Sequence, residues 1–303
     1  MGSVKVWLEA FRLRTLPLSL SCIIIGSSLA FTNNSFDVSI FCLLLITTVL
    51  LQILSNLAND YGDTQHGADN HERLGPVRAV QSGAITKIQM KYAIFILTLL
   101  CLLSGITLLF FSFGPAQWKF ILVFFMLGIG AIIAAIKYTA GKNPYGYKGY
   151  GDVFVFLFFG LIGVLGSAFL YMNSFELSFV LPAIAIGMLS TGVLNINNIR
   201  DMEGDAKAGK YTIPVRLGRK KAGIYHLFLI MGGLISFGSY IVFFTESLES
   251  WAFVLITPFL LKNIISMLCE KDAMKIDKQL KVLALSSFFV SLLFSFGLII
   301  HQL

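Results

Sequence analysis

Long apolar runs alternate with short polar segments along the chain. Nine runs have the length of about 20 residues with which an α-helix crosses the hydrocarbon core of a bilayer. They lie near residues 16–31, 38–59, 88–112, 117–136, 152–172, 176–197, 222–245, 251–269 and 279–301. We therefore predict an all-α integral membrane protein with nine transmembrane helices.

The composition supports this class. Of the 303 residues, 56% are hydrophobic and 13% are charged. A soluble globular protein has about half apolar and about a quarter charged residues, so the surplus apolar surface must face membrane lipid. The four cysteines are scattered through apolar runs without C-x-x-C spacing, and we expect buried apolar side chains rather than metal ligands or disulfides.

The basic residues predict the orientation in the membrane. If the N-terminus is cytoplasmic, every Lys and Arg except Lys119 lies on the cytoplasmic side or at the inner end of a span. Because Lys and Arg are enriched in cytoplasmic loops, we predict this orientation, with all the long loops in the cytoplasm. The net charge of +7 then has a topological origin. We predict no binding to nucleic acid, since no basic helix carries base-reading side chains.

Acidic residues cluster where the second predicted span meets its loop. In the stretch LSNLANDYGDTQHGADN, spacings of four and three place Asn56, Asp60 and Asp63 on one helical face, with Asn59 beside them. We call Asn59, Asp60 and Asp63 the first acidic motif. Carboxylates at membrane depth are costly without partners, so this motif requires a cation.

The sixth predicted span ends in a similar cluster. In NINNIRDMEGD, Asn197, Asp201 and Asp205 recur every four residues, and Asn198 stands three before Asp201. We call Asn198, Asp201 and Asp205 the second acidic motif. Both clusters precede a loop that contains the triplet PVR, which indicates a weak parallel repeat. The repeat predicts two acidic patches that face each other across a central cavity.

The chemistry of the clusters favours Mg²⁺. Taken singly, each Asn or Asp also fits a helix cap or a solvated loop. Taken together, carboxylate and amide oxygens suit Mg²⁺, which completes its shell with water and substrate phosphates. The adjacent loops supply basic side chains that could bind a diphosphate or, alternatively, anionic lipid. These loop residues are Arg73, Arg78, Lys142, Lys148, Lys207, Lys210 and Arg216. For the run Arg219 to Lys221 we expect contact with anionic lipid.

Aromatic side chains are abundant near the fifth predicted span. The stretch FVFLFFG, residues 154–160, is the best candidate for an apolar cavity wall, although lipid contact fits it equally well. Asp152 starts this span, either as a helix cap or as an acidic partner for a bound molecule. Several tyrosines fit contacts with a bound aromatic group or cation, or positions in an interfacial aromatic belt. They are Tyr138, Tyr145, Tyr147 and Tyr150.

Four stretches resemble the motifs of one family. NDYGDTQHGAD, RLGPVRAVQSG, GYGDVFVFLFFG and NNIRDMEGDAKAGKYTIPVRLG are similar to motifs of the UbiA superfamily of intramembrane aromatic prenyltransferases. Within it they look most like the branch, usually called MenA, that prenylates 1,4-dihydroxy-2-naphthoate. The N-terminal WLEAFRLRTLPLS is similar as well, so the resemblance covers nearly the whole chain and implies one UbiA-like domain over residues 1–303.

The resemblance implies nine helices around a cavity that opens laterally to lipid, and two Asp-rich motifs that bind Mg²⁺ and a prenyl diphosphate. The superfamily's Tyr-x-x-x-Lys element is matched by Tyr138 and Lys142. Where many members have a third Asp in the first motif, this chain has Gly67, and Asp69 takes its place. The expected metal ligands are Asn59, Asp60, Asp63, Asp69, Asn198, Asp201 and Asp205. The residues expected in catalysis are Asp60, Asp63, Asp201, Asp205, Lys142 and Tyr138. Arg73, Arg78, Lys142 and Lys210 are expected to bind diphosphate, and Tyr138, Tyr147 and Asp152 the acceptor.

The implied reaction is Mg²⁺-dependent transfer of a polyprenyl group from polyprenyl diphosphate to 1,4-dihydroxy-2-naphthoate. The acceptor loses CO₂ and becomes demethylmenaquinone, in a bacterial inner membrane with the active site facing the cytoplasm. Another aromatic acceptor, such as 4-hydroxybenzoate or homogentisate, is the alternative within the class. An ion-coupled transporter is the alternative outside it, but the carboxylates lie at the ends of the spans rather than at mid-membrane.

Overall fold

The computed structural model describes residues 3–66, 78–245 and 248–303, and every regular element in these ranges is helical. Within them, nine helical segments are long and apolar enough to cross a membrane. In chain order these are α1 (Val4–Thr32), α2 (Val38–Gln65), α3 (Lys87–Phe113), α4 (Pro115–Lys137), α5 (Gly151–Met172), α6 (Leu177–Arg200), α7 (Arg219–Phe244), α8 (Glu249–Cys269) and α9 (Ala273–Gln302). The predicted class, a multi-pass all-α membrane protein, is confirmed.

Two spans begin or end well outside their apolar runs. The helical segment α1 begins at Val4 rather than near residue 16, and is interrupted at Arg12, which has a left-handed backbone with φ of 51°. The helix α2 continues past the predicted end at residue 59 to Gln65, so Asp60 and Asp63 lie within the helix. Hydropathy marks where contact with lipid ends, whereas the helix continues as long as its backbone hydrogen bonds do.

Side chains at the loop boundaries fix where several spans start. The carboxylate of Asp37 accepts hydrogen bonds from the backbone N–H groups of Ser39 (2.7 Å) and Ile40 (3.1 Å) at the start of α2. These amides lower the pKa of Asp37. Thr86 and Gln89 form a reciprocal capping box at the start of α3.

The closely packed half of the bundle consists of α1, α6, α7, α8 and α9. Phe237, Phe294, Leu189 and Ile25 are fully buried there, in one continuous apolar core. Small residues allow close approach: a Cβ atom on Gly297 would lie 2.4 Å from backbone atoms of Ser250. Close packing of this kind is the main source of helix association inside a bilayer.

The other half of the bundle, α2 to α5, is packed more loosely. The most apolar windows of α2, α3 and α4 are only 17%, 17% and 11% buried, against 61% for α6. The middle of α5, Phe156–Leu165, is a π-helix, a form that occurs mostly in short stretches and often at functional sites. Both acidic motifs lie at one end of the bundle, where α2 and α6 end, which we call the motif end.

Candidate active site

The first acidic motif is tied to the loops around it. Asp60 is 2% exposed, and its carboxylate accepts hydrogen bonds from the backbone N–H groups of Ala79 (3.1 Å) and Val80 (3.3 Å). Asp63 accepts a hydrogen bond of 3.1 Å from the hydroxyl of Tyr147, which lies in the short helix between α4 and α5. The segment before α3 and the connection between α4 and α5 are therefore held in place by these two carboxylates.

The connection after α4 is packed directly onto this motif. Thr139 donates hydrogen bonds to the backbone oxygen of Ala58 (3.2 Å) and to Oδ1 of Asn59 (3.3 Å). A Cβ atom on Gly62 would lie 2.5 Å from atoms of Thr139, so only glycine fits at this position. This contact places Tyr138 beside the first acidic motif.

The second acidic motif is paired with cations. Both carboxylate oxygens of Asp201 accept hydrogen bonds from Arg200, at 2.8 and 2.6 Å. Asp205 forms a buried ion pair with Lys210, with 3.3 Å between Oδ1 and Nζ. The ammonium group of Lys210 also lies 5.6 Å from the ring centroid of Tyr147.

Lys210 is the point at which the two motifs meet. Burial alone would lower its pKa, but Asp63 and Asp205 outweigh burial and raise the pKa of Lys210. Burial raises the pKa of Asp205 to about 6, against the opposing effect of Lys210. Burial and the nearby Asp63 carboxylate raise the pKa of the Tyr147 phenol. At neutral pH the site therefore contains a charged lysine and a neutral phenol.

Two oxygens at this site are suited to a cation. In the part of the chain that the structure describes, Oδ1 of Asn198 and Oδ2 of Asp205 are buried and accept no hydrogen bond. Among the same residues, no three acidic, histidine or cysteine side chains form a preformed metal centre. The donor set therefore fits a cation that takes few protein ligands and completes its shell with water and phosphate oxygens, as Mg²⁺ does.

Four further residues were predicted from the sequence to bind the metal or the diphosphate. Asp69 and Arg73 lie outside the described residues. Arg78 is half-buried, and its backbone N–H donates to Oε1 of Gln81 (3.4 Å). The side chain of Lys142 is exposed to solvent.

Asp152 is held by a partner that the sequence did not indicate. Its carboxylate accepts a hydrogen bond of 3.1 Å from the hydroxyl of Tyr225 on α7, and the residue is 6% exposed. The position that precedes this helix is Tyr150, so the alternative of Asp152 as the helix cap is wrong. The carboxylate is instead aligned by an inter-helix hydrogen bond.

An apolar cavity of about 400 Å³ extends from the motif end into the membrane region. Residues of the five helices α1 to α5 line it. Asn59 and Tyr138 line its polar end. Phe154, Phe158 and Phe159 line one side, in agreement with the wall predicted from FVFLFFG. Phe124, which lines the cavity, belongs to a cluster of aromatic rings whose centroids are 5.3 to 6.2 Å apart. The rings are those of Phe113, Phe120, Phe124 and Phe169.

These features define a polytopic membrane protein with two acidic motifs at one end of the bundle, where Asn59 of the first motif lines the polar end of an apolar cavity. The chain belongs to the UbiA prenyltransferase family, whose profile matches residues 19–295. A relative from Haemophilus influenzae, 1,4-dihydroxy-2-naphthoate octaprenyltransferase, is 42% identical over 98% of this chain and 96% of its own length.

Solved structures of the family share the fold. A UbiA homolog from Aeropyrum pernix K1 has a TM-score of 0.67 at 16% identity, over 96% of this chain and 99% of that one. A UbiA homolog from Archaeoglobus fulgidus, bound to DMAPP and Mg²⁺, has a TM-score of 0.57 at 16% identity, over 95% and 98%. The expected fold and family are confirmed.

Proposed function

We propose that this enzyme transfers a polyprenyl group from polyprenyl diphosphate to 1,4-dihydroxy-2-naphthoate in a Mg²⁺-dependent reaction of menaquinone biosynthesis. The identity of 42% to a named 1,4-dihydroxy-2-naphthoate octaprenyltransferase, over nearly the whole of both chains, supports the choice of acceptor. The structural observation that carries the proposal is the convergence of the two acidic motifs around Lys210 and Tyr147, at the end of the bundle where Asn59 and Tyr138 line the cavity. All 303 residues are proposed to form this one prenyltransferase domain.

Mg²⁺ would be held by oxygens of the two motifs, foremost Asp63, Asn198 and Asp205. When bound, it supplies positive charge against the negative charge that grows on the leaving diphosphate. The A. fulgidus homolog bound to DMAPP and Mg²⁺ supports the use of Mg²⁺, though not the choice of individual ligands. Asn59, Asp60, Asp69 and Asp201 complete the proposed ligand set.

Positive side chains of this chain stabilise the same developing charge. As the allylic C–O bond breaks, both of its electrons go to the diphosphate, and fixed cations then bind the leaving group more strongly than they bind the substrate. Lys210 is already charged and buried at this point. Arg73, Arg78 and Lys142 are proposed to hold the outer phosphate oxygens.

The acceptor ring then attacks the allylic carbon. The ring carbon that bears the carboxylate forms the new C–C bond, and departure of CO₂ returns the electron pair of the broken C–C bond to the ring, which yields the hydroquinone form, demethylmenaquinol. We assign Asp152, aligned by Tyr225, to the acceptor hydroxyl. We also assign Tyr138, which lines the cavity, and Tyr147, which donates a hydrogen bond to Asp63, to binding of the acceptor ring.

The cavity excludes water from the reactive carbon and accommodates the start of the isoprenoid tail. Its walls of Phe, Leu and Ile favour an allylic cation over its hydrolysis. The motif end is proposed to face the cytoplasm from a bacterial inner membrane, because Lys and Arg are concentrated at that end.

The test is a prenylation assay with the purified full chain in lipid nanodiscs. We expect Mg²⁺-dependent release of pyrophosphate and formation of prenylated product when 1,4-dihydroxy-2-naphthoate is supplied, and none in excess EDTA. Parallel reactions with 4-hydroxybenzoate and homogentisate identify the acceptor. Absence of pyrophosphate release with every acceptor would contradict the enzyme assignment and favour a transporter.

A further inference from the structure

Arg200 is a buried guanidinium with a carboxylate on either side. Its side chain is 1% exposed, and its Nε and Nη2 atoms donate to the two oxygens of Asp201 at 2.8 and 2.6 Å. Its Nη1 atom donates to Oδ1 of Asp277. Nη2 also donates to Oδ1 of Asn197 at 2.9 Å. One positive charge is thus shared by two anions.

Asp277 lies far from the acidic motifs in sequence. It belongs to the second turn of α9, and its side chain is 25% exposed. On its outer side it also faces Arg14 of α1, at 3.8 Å, where the guanidinium is 40% exposed. Asp277 therefore connects the second acidic motif to two other spans of the closely packed half.

The electrostatic consequence concerns Asp201. A buried cation that is shared between two carboxylates binds each of them less strongly than it would bind one alone. Without Asp277, Arg200 stays buried, and a buried charge is costly unless it is paired. Arg200 would then pair mainly with Asp201. The Asp201 oxygens would be bound more strongly by Arg200, and they would bind another cation less readily.

We infer that Asp277 is a positioning residue for the second acidic motif, which acts through Arg200 to keep Asp201 available to a divalent cation. The inference rests on the proposed function in one respect, that Asp201 contributes to binding of the metal. It assigns to α9 a part in metal binding although no residue of that span belongs to either motif.

Two substitutions at this position separate charge from packing. Asp277→Asn keeps the size of the side chain but removes its charge, and we expect about tenfold weaker binding of the divalent cation. Asp277→Glu keeps the charge, and we expect it to restore most of the affinity. Asp272→Asn is the matched control, because it makes the same change of charge just before α9, where asparagine also caps a helix well.

The measurement is Mn²⁺ binding by electron paramagnetic resonance to the full chain in detergent, with inorganic pyrophosphate present. The Mg²⁺ concentration for half-maximal prenyl transfer should rise in parallel for Asp277→Asn, while kcat at saturating Mg²⁺ stays near the wild-type value. A merely structural role would lower thermal stability without this split. Wild-type Mn²⁺ affinity in Asp277→Asn, or equal weakening in Asp277→Glu, would overturn the inference.

If Asp277→Asn does not accumulate as folded protein, the inference is tested with a second variant. In Arg200→Lys, the ammonium group lacks the planar fork that binds both oxygens of Asp201, so we expect tighter Mn²⁺ binding than in wild type. Equal or weaker binding would overturn the inference. Failure of the proposed function is a separate outcome: the wild-type chain would bind Mn²⁺ with pyrophosphate yet prenylate no acceptor.

Discussion

The two acidic motifs have nearly the same sequence pattern and quite different surroundings. In the first, Asp60 and Asp63 accept hydrogen bonds from two backbone amides and a phenol, and thereby hold the loops. In the second, Asp201 and Asp205 form ion pairs with Arg200 and Lys210. The two motifs therefore differ in their direct partners: the first holds the loops by hydrogen bonds, and the second forms ion pairs, of which the one to Lys210 also lies near Asp63 of the first motif.

The largest effect is expected where the motifs meet. Asp63→Asn and Asp205→Asn keep the side-chain volume but remove the charge that a metal requires, so each should lower prenyl transfer by at least about 1000-fold, or about 4 kcal/mol. Thermal unfolding in detergent is the control for folding. Near-normal turnover in either variant would show that the metal is bound elsewhere.

Lys210→Met tests the cation shared by both motifs. It leaves Asp63 and Asp205 without this ammonium group and removes a charge from the proposed diphosphate site, so we expect about 100-fold lower prenyl transfer. Lys220→Met makes the same change of charge at an exposed position and should be nearly silent. Equal activities of the two variants would contradict a role for Lys210 in the active site.

A pair of glycines distinguishes the motifs by packing. Gly62 is pressed against Thr139, whereas a Cβ atom on Gly204 of the second motif would meet nothing within 4 Å. Gly62→Ala should therefore destabilise the protein by about 1–3 kcal/mol. Gly204→Ala should be neutral or slightly stabilising, since alanine is the better helix former by about 1 kcal/mol. Thermal unfolding of both variants compares them directly, and equal midpoints would contradict the packing argument.

The smallest effect is expected at the phenol that joins the motifs. Tyr147→Phe removes one hydrogen bond to Asp63, worth about 1 kcal/mol, and should lower prenyl transfer about fivefold. Tyr150→Phe changes an exposed ring and serves as the control. A loss as large as that of Asp63→Asn would give Tyr147 a direct part in the chemistry.

Much of the architecture could be predicted from local sequence. Lipid imposes a long apolar window on each span, so the nine spans were recognisable from hydropathy alone. The ends were less predictable, because α2 continues through Asp60 and Asp63 after its apolar run has ended. The π-helix of α5 has no distinct signal in a run of Phe, Leu and Gly.

The composition of the site was easier to predict than its pairings. Asn and Asp at helical spacing marked both motifs, but their individual roles as metal ligands stay predictions. The partners Tyr225, Arg200 and Asp277 were missed, since each is set by the way distant spans pack. A charged residue directly before Asp201, at the end of an apolar helix, was the only local signal for Arg200.

The height of the cavity limits how much of a lipid it can enclose. Along α4 and its C-terminal cap residue Tyr138, the lining extends from Tyr138 to Phe124, which is about 21 Å at 1.5 Å per residue. An isoprenoid that is longer than this when extended must leave sideways between helices, and its far end is then dissolved in the bilayer. The membrane itself would solvate the distal units, so each added unit should strengthen binding only until the enclosed length has been filled.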